Sequence, residues 1–441
     1  MSYELIAILM FSTMMLMLMT GQRVFGAIGA VAAVAALTLW GTGGSDIPFS
    51  SAMKLMKWYP LLTLPMFIFM GYVLSESKIA DDLYKMFHVW MGPVPGGLAI
   101  GTIFLMVLVS AMNGLSVAGM AIGATIALPE LLRRGYDKRM VTGVVQAGSS
   151  LGILVPPSVV LVLYAMIARQ PVGQLWLAGV MPGLLMAALF ILYIVIRCRL
   201  QPELGPALKK EDRSQISRAE KLRLLRAGIL PIVIFATMMV PFVKGWTSLV
   251  ESSAIGAIAA FVAAVIKGRM TREVFETSVR QTLGISCMFM WIILAALGFG
   301  AVFDGLGAVR AIENLFTEQL GLSPWMILIL MQLSFIIMGT FLDDTAMLVI
   351  VAPLYVPLVH ALGFDLIWYG VLYTITTQIA YMTPPFGYNL FLMRAMAPPE
   401  IGLRDIYGSI LPFVMVMVLA LSLVMIFPEI ALWLPETVYA K

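Results

Sequence analysis

The sequence predicts an all-α integral membrane protein with an inverted repeat, in which each half contains a re-entrant helical hairpin and a broken helix. Three observations support this fold class. Of the 441 residues, 61% are hydrophobic and only 12% are charged, whereas a soluble globular chain carries about 25% charged residues. A Pro-Pro pair interrupts an apolar run at matching positions of the two halves, Pro156-Pro157 and Pro384-Pro385. Basic residues are concentrated in alternate loops, which indicates the side of the membrane on which each loop lies.

The remaining composition excludes several other classes of protein. Two cysteines give no disulfide framework, and two histidines far apart in the sequence make a histidine metal site improbable. The net charge of +4 comes from the loops between apolar segments. We therefore expect this chain to lie in a lipid membrane and to bind no nucleic acid.

Membrane-spanning helices need about 20 apolar residues, and many stretches approach or reach this length. They lie near residues 3–20, 24–41, 61–77, 175–196, 228–243, 249–266, 282–303 and 407–427. Two further spans, 140–168 and 367–397, contain the Pro-Pro pairs. Proline lacks an N–H and clashes with the preceding turn, so each of these spans is predicted to break into two half-helices.

Two other apolar stretches, 97–133 and 324–362, are each divided by a short polar segment. The dividing residues are Asn113-Gly114-Leu115-Ser116 in the first stretch and Asp343-Asp344-Thr345 in the second. The arms on either side have about 15 residues, which is short for a full crossing. We therefore interpret both stretches as re-entrant hairpins whose tips stop at the middle of the membrane.

The distribution of charge predicts the orientation of both hairpins. Cytoplasmic loops are rich in Lys and Arg, and placing both termini on the periplasmic side leaves most of the 28 Lys and Arg residues inside. The first hairpin ends in the basic loop 133–139, so it enters from the cytoplasm. The second ends at 360–365, which contains no Lys or Arg, so it enters from outside.

Two halves of opposite orientation form an inverted repeat. We place the first half at 1–196 and the second at 228–441, joined by a basic cytoplasmic linker at 197–227. Segments 78–92 and 306–320 occupy matching positions and mix charged with apolar residues. They are expected to lie along the membrane surface and to brace the hairpins from the side.

Each hairpin tip is predicted to face the helix break of its own half and to form an ion site with it. Carbonyl groups at a broken helix can coordinate Na⁺, and Asn, Ser and Thr side chains add further oxygens. The predicted cation ligands are Asn113, Gly114, Ser116, Gly152, Val155 and Ser158 in the first half, and Gly339, Thr340, Asp343, Thr345, Thr383 and Gly387 in the second. The alternative is that these residues cap the helices and allow close packing.

Adjacent acids in an apolar hairpin are costly, which makes Asp343 and Asp344 functional candidates. One carboxylate is expected to balance a bound cation and the other to cap the following arm, where the helix dipole favours negative charge. Capping alone remains the alternative for either residue. The residues predicted to face a solute are Ser149, Ser150, Pro156, Pro157, Asp344, Pro384, Pro385, Tyr388 and Asn389.

At these residues the chain resembles the large membrane subunit of tripartite ATP-independent periplasmic (TRAP) transporters. The matching segments are RRGYDKR (133–139), GILVPPSVVLVLYAMIARQPVGQLWLAGVMPGLLM (152–186), GTFLDDTAML (339–348) and TPPFGYNLF (383–391). The resemblance implies Na⁺-driven uptake of an organic acid or similar small solute through the bacterial inner membrane, by an elevator movement of a transport domain against a scaffold. It also implies two partners, a small four-helix membrane subunit and a periplasmic substrate-binding protein.

Two positions depart from the pattern of this family. Gly119 stands where many members have Asp, and Asp344 stands where many have Pro. The first departure concerns the first ion site, and the second concerns the choice of solute.

Two other functions compete with transport. A membrane enzyme acting on lipid phosphates needs carboxylates near a membrane face, with Mg²⁺ and basic residues, whereas Asp343 and Asp344 have no basic neighbour in the sequence. An inverted repeat is also compatible with a channel, although channels rarely pair two ion sites on re-entrant tips. A saturable flux that requires a Na⁺ gradient distinguishes a transporter from a channel, and the absence of product chemistry distinguishes it from an enzyme.

Overall fold

A computed structural model shows an entirely helical architecture over the residues it describes, which are 2–92, 94–114, 116–207, 218–315, 321–339, 344–384 and 387–439. Within them, helices long and apolar enough to cross a membrane occur at Tyr59–Glu76, Val172–Leu200, Leu249–Ile266, Arg272–Gly305 and Leu403–Ile426. Shorter apolar helices occupy other predicted spans. The structure therefore confirms the prediction of an all-α chain suited to a membrane.

The first half begins with five helices that precede its hairpin: α1 (Tyr3–Met19), α2 (Val24–Leu39), α3 (Asp46–Met56), α4 (Thr63–Glu76) and α5 (Ile79–Met91). The first hairpin has one arm in α6 (Gly97–Asn113) and the other in α7 (Ser116–Ile122) and α8 (Leu128–Arg133), joined by a π-helical turn at Gly123–Ala127. The first broken helix consists of α9 (Lys138–Ser150) and α10 (Val159–Ala168). The long helix α11 (Val172–Leu200) follows.

The predicted second half follows a similar order, with four helices before its hairpin instead of five. It begins with α12 (Arg218–Val243), α13 (Leu249–Ile266), α14 (Arg272–Gly305) and α15 (Ala308–Asn314). The second hairpin consists of α16 (Pro324–Gly339) and α17 (Asp344–Ala361), and the second broken helix of α18 (Leu366–Tyr381) and α19 (Tyr388–Met396). Helices α20 (Leu403–Ile426) and α21 (Glu429–Tyr439) complete the described chain.

The same turn introduces both broken helices. Gly135 and Gly363 adopt a positive φ of 79°, which glycine tolerates without a steric penalty. Two residues later, Asp137 Oδ1 accepts hydrogen bonds from the backbone N–H groups of Arg139 and Met140. Asp365 Oδ1 accepts one from Trp368 in the same way. These caps fix where each broken helix begins, and loss of such a cap costs about 1 kcal/mol.

Most of the described helices can be divided into two packed groups, which also contact each other. The frame group contains α2, α3, α4, α13 and α14, in which α14 packs against α2, α3 and α4, and α13 packs against α4. The core group contains both hairpins, both broken helices, α11 and α20. Helix α5 packs against arm α6 of the first hairpin, and α15 packs against arm α17 of the second. The hairpins thus lie between their broken helices and the frame group.

The two halves exchange matching contacts within the core group. Helix α11 of the first half packs against α18, and its counterpart α20 packs against α9. Likewise, α10 packs against the second hairpin arm α17, and α19 packs against α7 in the first hairpin. Each broken helix therefore touches the hairpin of its own half with its first segment and the hairpin of the other half with its second segment.

The first residues after α11 are attached to the first hairpin. The backbone N–H of Gly96 donates to Gly205 O at 2.8 Å, and that of Asp137 donates to Leu204 O at 3.1 Å. The Cys198 side chain is buried beside this contact. Residues 202–205 therefore pack at the base of the first hairpin rather than extending away from it.

Candidate functional site

The tip of the first hairpin touches the break of the first broken helix. Gly114 is buried with a φ of 64°, and its carbonyl accepts a 3.3 Å hydrogen bond from Val159 N. A Cβ at this position would lie 2.2 Å from Pro157 O. Only glycine fits here, because the conformation is left-handed and the backbone of the break leaves no space for a side chain.

Several carbonyl groups of the first break lack a helical hydrogen-bond donor. Pro156 and Pro157 have no N–H, so the carbonyls one turn earlier lack a helical donor. Ile153 O is instead bonded by the Ser158 hydroxyl, which also caps α10 by accepting from Leu161 N at 3.2 Å. Three carbonyls remain, those of Gly152, Leu154 and Val155. None of them is an acceptor in the turn and loop backbone hydrogen bonds of the described residues.

The hydroxyl groups before the break are committed to their own helix. Ser149 donates to Gln146 O at 2.8 Å, and Ser150 donates to Ala147 O at 2.7 Å. Both side chains are fully buried, and each hydroxyl oxygen keeps lone pairs for a ligand. Gly119 lies against Ser149, since a Cβ on Gly119 would be 3.3 Å from Ser149 Cα. A side chain at this position would therefore require the arm or the broken helix to shift by a few tenths of an ångström.

The second break is arranged around Gly387. A Cβ on this glycine would lie 2.6 Å from Tyr381 O and 2.9 Å from Thr383 O, so both carbonyls point towards it. The Thr383 hydroxyl donates to Ile379 O at 2.6 Å. Gly339, at the end of arm α16, packs against Ala380. A Cβ added to Gly339 would lie only 2.5 Å from the Cβ of Ala380. The second hairpin therefore also meets the broken helix of its own half.

One contact joins the two predicted sites. The Ser116 hydroxyl donates to Asn389 Oδ1 at 3.4 Å, and both side chains are buried. The sequence placed Ser116 in the first ion site and Asn389 at a solute site in the other half. The structure brings them together because α19 packs on α7. No local pattern in the sequence reveals this pair.

Buried glutamines form a set of functional candidates that the motifs did not identify. Gln332 Oε1 accepts a 2.5 Å hydrogen bond from the Thr376 hydroxyl, while its Nε2 has no partner among the described residues. Gln378 is fully buried, and neither atom of its carboxamide has a described partner. The sequence did contain a signal for these residues, since burying an amide in an apolar span costs free energy unless the amide is hydrogen-bonded.

Several predicted residues lie outside the described part of the chain. Thr340, Asp343 and Pro385 are among them, as are the side chains of Asn113, Asp344, Thr345 and Tyr388. Asp344 is nevertheless placed as the first residue of α17. Within the described residues, no group of three His, Cys, Asp or Glu side chains is arranged to hold a metal.

Known sequences match this chain over most of its length. The family model described as "Tripartite ATP-independent periplasmic transporter, DctM component" matches residues 11–430. The C4-dicarboxylate TRAP transporter large permease protein DctM of Pseudomonas aeruginosa is 30% identical over 393 residues, covering 88% of this chain and 89% of that protein. The ectoine TRAP transporter large permease protein TeaC of Halomonas elongata is 25% identical, covering 90% of this chain and 91% of that protein.

A solved structure shares the fold. The YdaH transporter of Alcanivorax borkumensis, described as having an unusual topology, superposes with a TM-score of 0.66 over 97% of this chain and 98% of its own. Its sequence identity is 17%, so this likeness concerns the architecture alone.

Proposed function

Because the chain belongs to the DctM component family of tripartite ATP-independent periplasmic transporters, we propose that it is the large permease subunit of a Na⁺-coupled importer of small organic solutes. Its relatives are named as permeases for organic solutes and not as enzymes. The observation that carries the proposal is the contact of Gly114 with Pro157 and Val159, which places a hairpin tip on a helix break.

Na⁺ coupling is supported by the oxygens around this contact. The carbonyls of Gly152 and Val155 and the hydroxyl of Ser158 lie in the break that the tip covers. A cation bound there attracts carbonyl oxygens from both the tip and the break. Na⁺ therefore favours the closed arrangement, and coupling follows if solute binds only when the tip is closed. In the second half, Tyr381 O and Thr383 O converge in a comparable way.

An elevator movement is supported by the division into frame and core groups. The core group contains both tips and both breaks, so a solute bound there travels with that group. The matching contacts of α11 with α18 and of α20 with α9 support an inverted repeat. We propose that the core group slides against the frame group and exposes the site to each side of the membrane in turn.

Delivery by a periplasmic binding protein and association with a small membrane subunit follow from the tripartite organisation after which the family is named.

We expect the complete complex in proteoliposomes to accumulate succinate or ectoine when a Na⁺ gradient points inwards. This subunit alone should accumulate little, because no binding protein delivers the solute. The measurement is uptake of radiolabelled solute with Na⁺ or K⁺ outside. If the uptake of both solutes is the same with and without the Na⁺ gradient, the proposal of Na⁺ coupling is wrong.

The proposed topology predicts opposite accessibility for two matched loops. Arg133 and Ala361 are exposed at the ends of the first and second hairpins. In a Cys198→Ala, Cys287→Ser background, a cysteine at 361 should react with a membrane-impermeant maleimide added to intact cells, whereas a cysteine at 133 should react only after permeabilisation. Labelling of both positions from outside would show that the hairpins share one orientation.

A further inference from the structure

We propose that the N-terminus of α19, together with Asn389, binds a single acidic group of the imported solute, and that the solute is a monoanionic or zwitterionic acid. This inference rests on the proposed function, since it specifies the chemistry of the same solute site.

Helix α19 begins without a capping side chain. Its N-cap residue is Gly387, which is buried and has no side chain to accept a hydrogen bond from the first turn. The first hydrogen bonds of the helix run from Leu390 N and Phe391 N to Gly387 O. The N–H groups of Tyr388 and Asn389 precede these bonds and point out of the helix end. Such an end carries a partial positive charge and attracts oxyanions.

Asn389 adds a side-chain donor to the same end. Its side chain is fully buried, and Nδ2 has no hydrogen-bond partner among the described residues. Ser116 donates to Oδ1 and so positions the amide, leaving Nδ2 as the available atom. A buried amide N–H without a partner costs about 1–3 kcal/mol. A carboxylate that accepts from Nδ2 and from the backbone N–H groups removes this cost.

The other helix ends that meet at the tips and breaks lack this arrangement. Helix α10 is capped by Ser158, whose hydroxyl accepts from Leu161 N. Arm α17 begins with the acidic residue Asp344, which disfavours an anion. The hairpins and broken helices contain no Lys or Arg over residues 97–132, 140–168, 324–361 and 366–393. A second carboxylate on the solute would therefore find no basic partner in these segments.

The test is an equilibrium titration of the purified subunit at saturating Na⁺, followed by thermal shift. Succinamate and succinate share a carbon skeleton but carry one and two carboxylates, and ectoine provides a zwitterionic probe. We expect succinamate or ectoine to bind at least tenfold more tightly than succinate. Asn389→Asp should weaken the preferred probe at least tenfold, because it replaces a donor with a negative charge. Asn314→Asp makes the same substitution at an exposed position at the end of α15 and should leave the order of the three probes unchanged.

Tighter binding of succinate than of succinamate and ectoine overturns the proposal, as does binding of none of the three. Unchanged binding by a folded Asn389→Asp variant overturns it as well. If that variant does not fold, Asn389→Leu, which removes the donor without adding charge, is measured in its place. Because the titration uses neither a gradient nor partner proteins, its outcome is separate from the Na⁺-dependent uptake that tests the proposed function.

Discussion

Replacing Gly114 with alanine should abolish Na⁺-dependent uptake while the subunit still inserts into the membrane. Alanine in a left-handed conformation costs about 1–2 kcal/mol, and its Cβ would lie 2.2 Å from Pro157 O. Both effects separate the hairpin tip from the break and disrupt the proposed first ion site. Uptake by the reconstituted complex, measured across a Na⁺ titration, should fall at least tenfold at every Na⁺ concentration.

A matched control distinguishes the effect on uptake of losing the contact between tip and break from the effect of backbone strain. Gly135 also has a positive φ, of 79°, but no atom lies within 4 Å of the position that a Cβ would occupy, and the residue is exposed. Gly135→Ala therefore carries the same conformational cost without the collision, and we expect it to keep most of the uptake. Equal uptake by the two variants would mean that the contact between tip and break is not needed for transport.

The sequence predicted the interruptions of the helices because proline acts locally. The first broken helix leaves the α conformation after Ser150, and the second leaves it after Tyr381, a few residues before each Pro-Pro pair. The all-α membrane class was likewise predictable, because hydropathy is summed over long segments and tolerates local exceptions. The capping side chains of Asp137 and Asp365 likewise act within a few residues of their own positions.

Contacts between distant segments could not be predicted in this way. The pairing of Ser116 with Asn389 depends on how α7 and α19 meet across the two halves. Similarly, residues 202–205 belong by composition to a polar linker, yet their backbone bonds to Gly96 and Asp137. Helices α3 and α21 were not predicted, because each is only 11 residues long and contains a proline.

The exchange of contacts between halves has a consequence for coupling. Ser116 is next to the first tip, and Asn389 follows the second break, so one hydrogen bond joins the first tip to the second broken helix. Under the proposed mechanism, closure of the first tip would act on the amide proposed to bind solute. We propose this hydrogen bond as a route by which ions and solute depend on each other, although their predicted ligands are far apart in the sequence.

The other large effect is expected from Asp343→Asn, which keeps the size of the side chain but removes its charge. A carboxylate in an apolar hairpin is costly unless a cation or a proton neutralises it, and Asp343 lies in the segment GTFLDDTAML (339–348), one of those that resemble the family. If Asp343 balances Na⁺, its loss should raise the half-saturating Na⁺ concentration at least tenfold, about 1.4 kcal/mol of binding free energy. Uptake at low Na⁺ should then be almost absent.

Asp344→Asn provides the control, because Asp344 is the first residue of α17 and its charge favours that helix end. Its loss should lower the thermal stability slightly and leave the half-saturating Na⁺ concentration unchanged. Na⁺ should also stabilise the purified protein, with an effect that grows with the logarithm of its concentration above the dissociation constant, and this stabilisation should be retained in Asp344→Asn but reduced in Asp343→Asn. Identical Na⁺ titrations of wild type and Asp343→Asn would instead assign Asp343 to helix capping, and the cation would then depend on the carbonyls of the breaks alone.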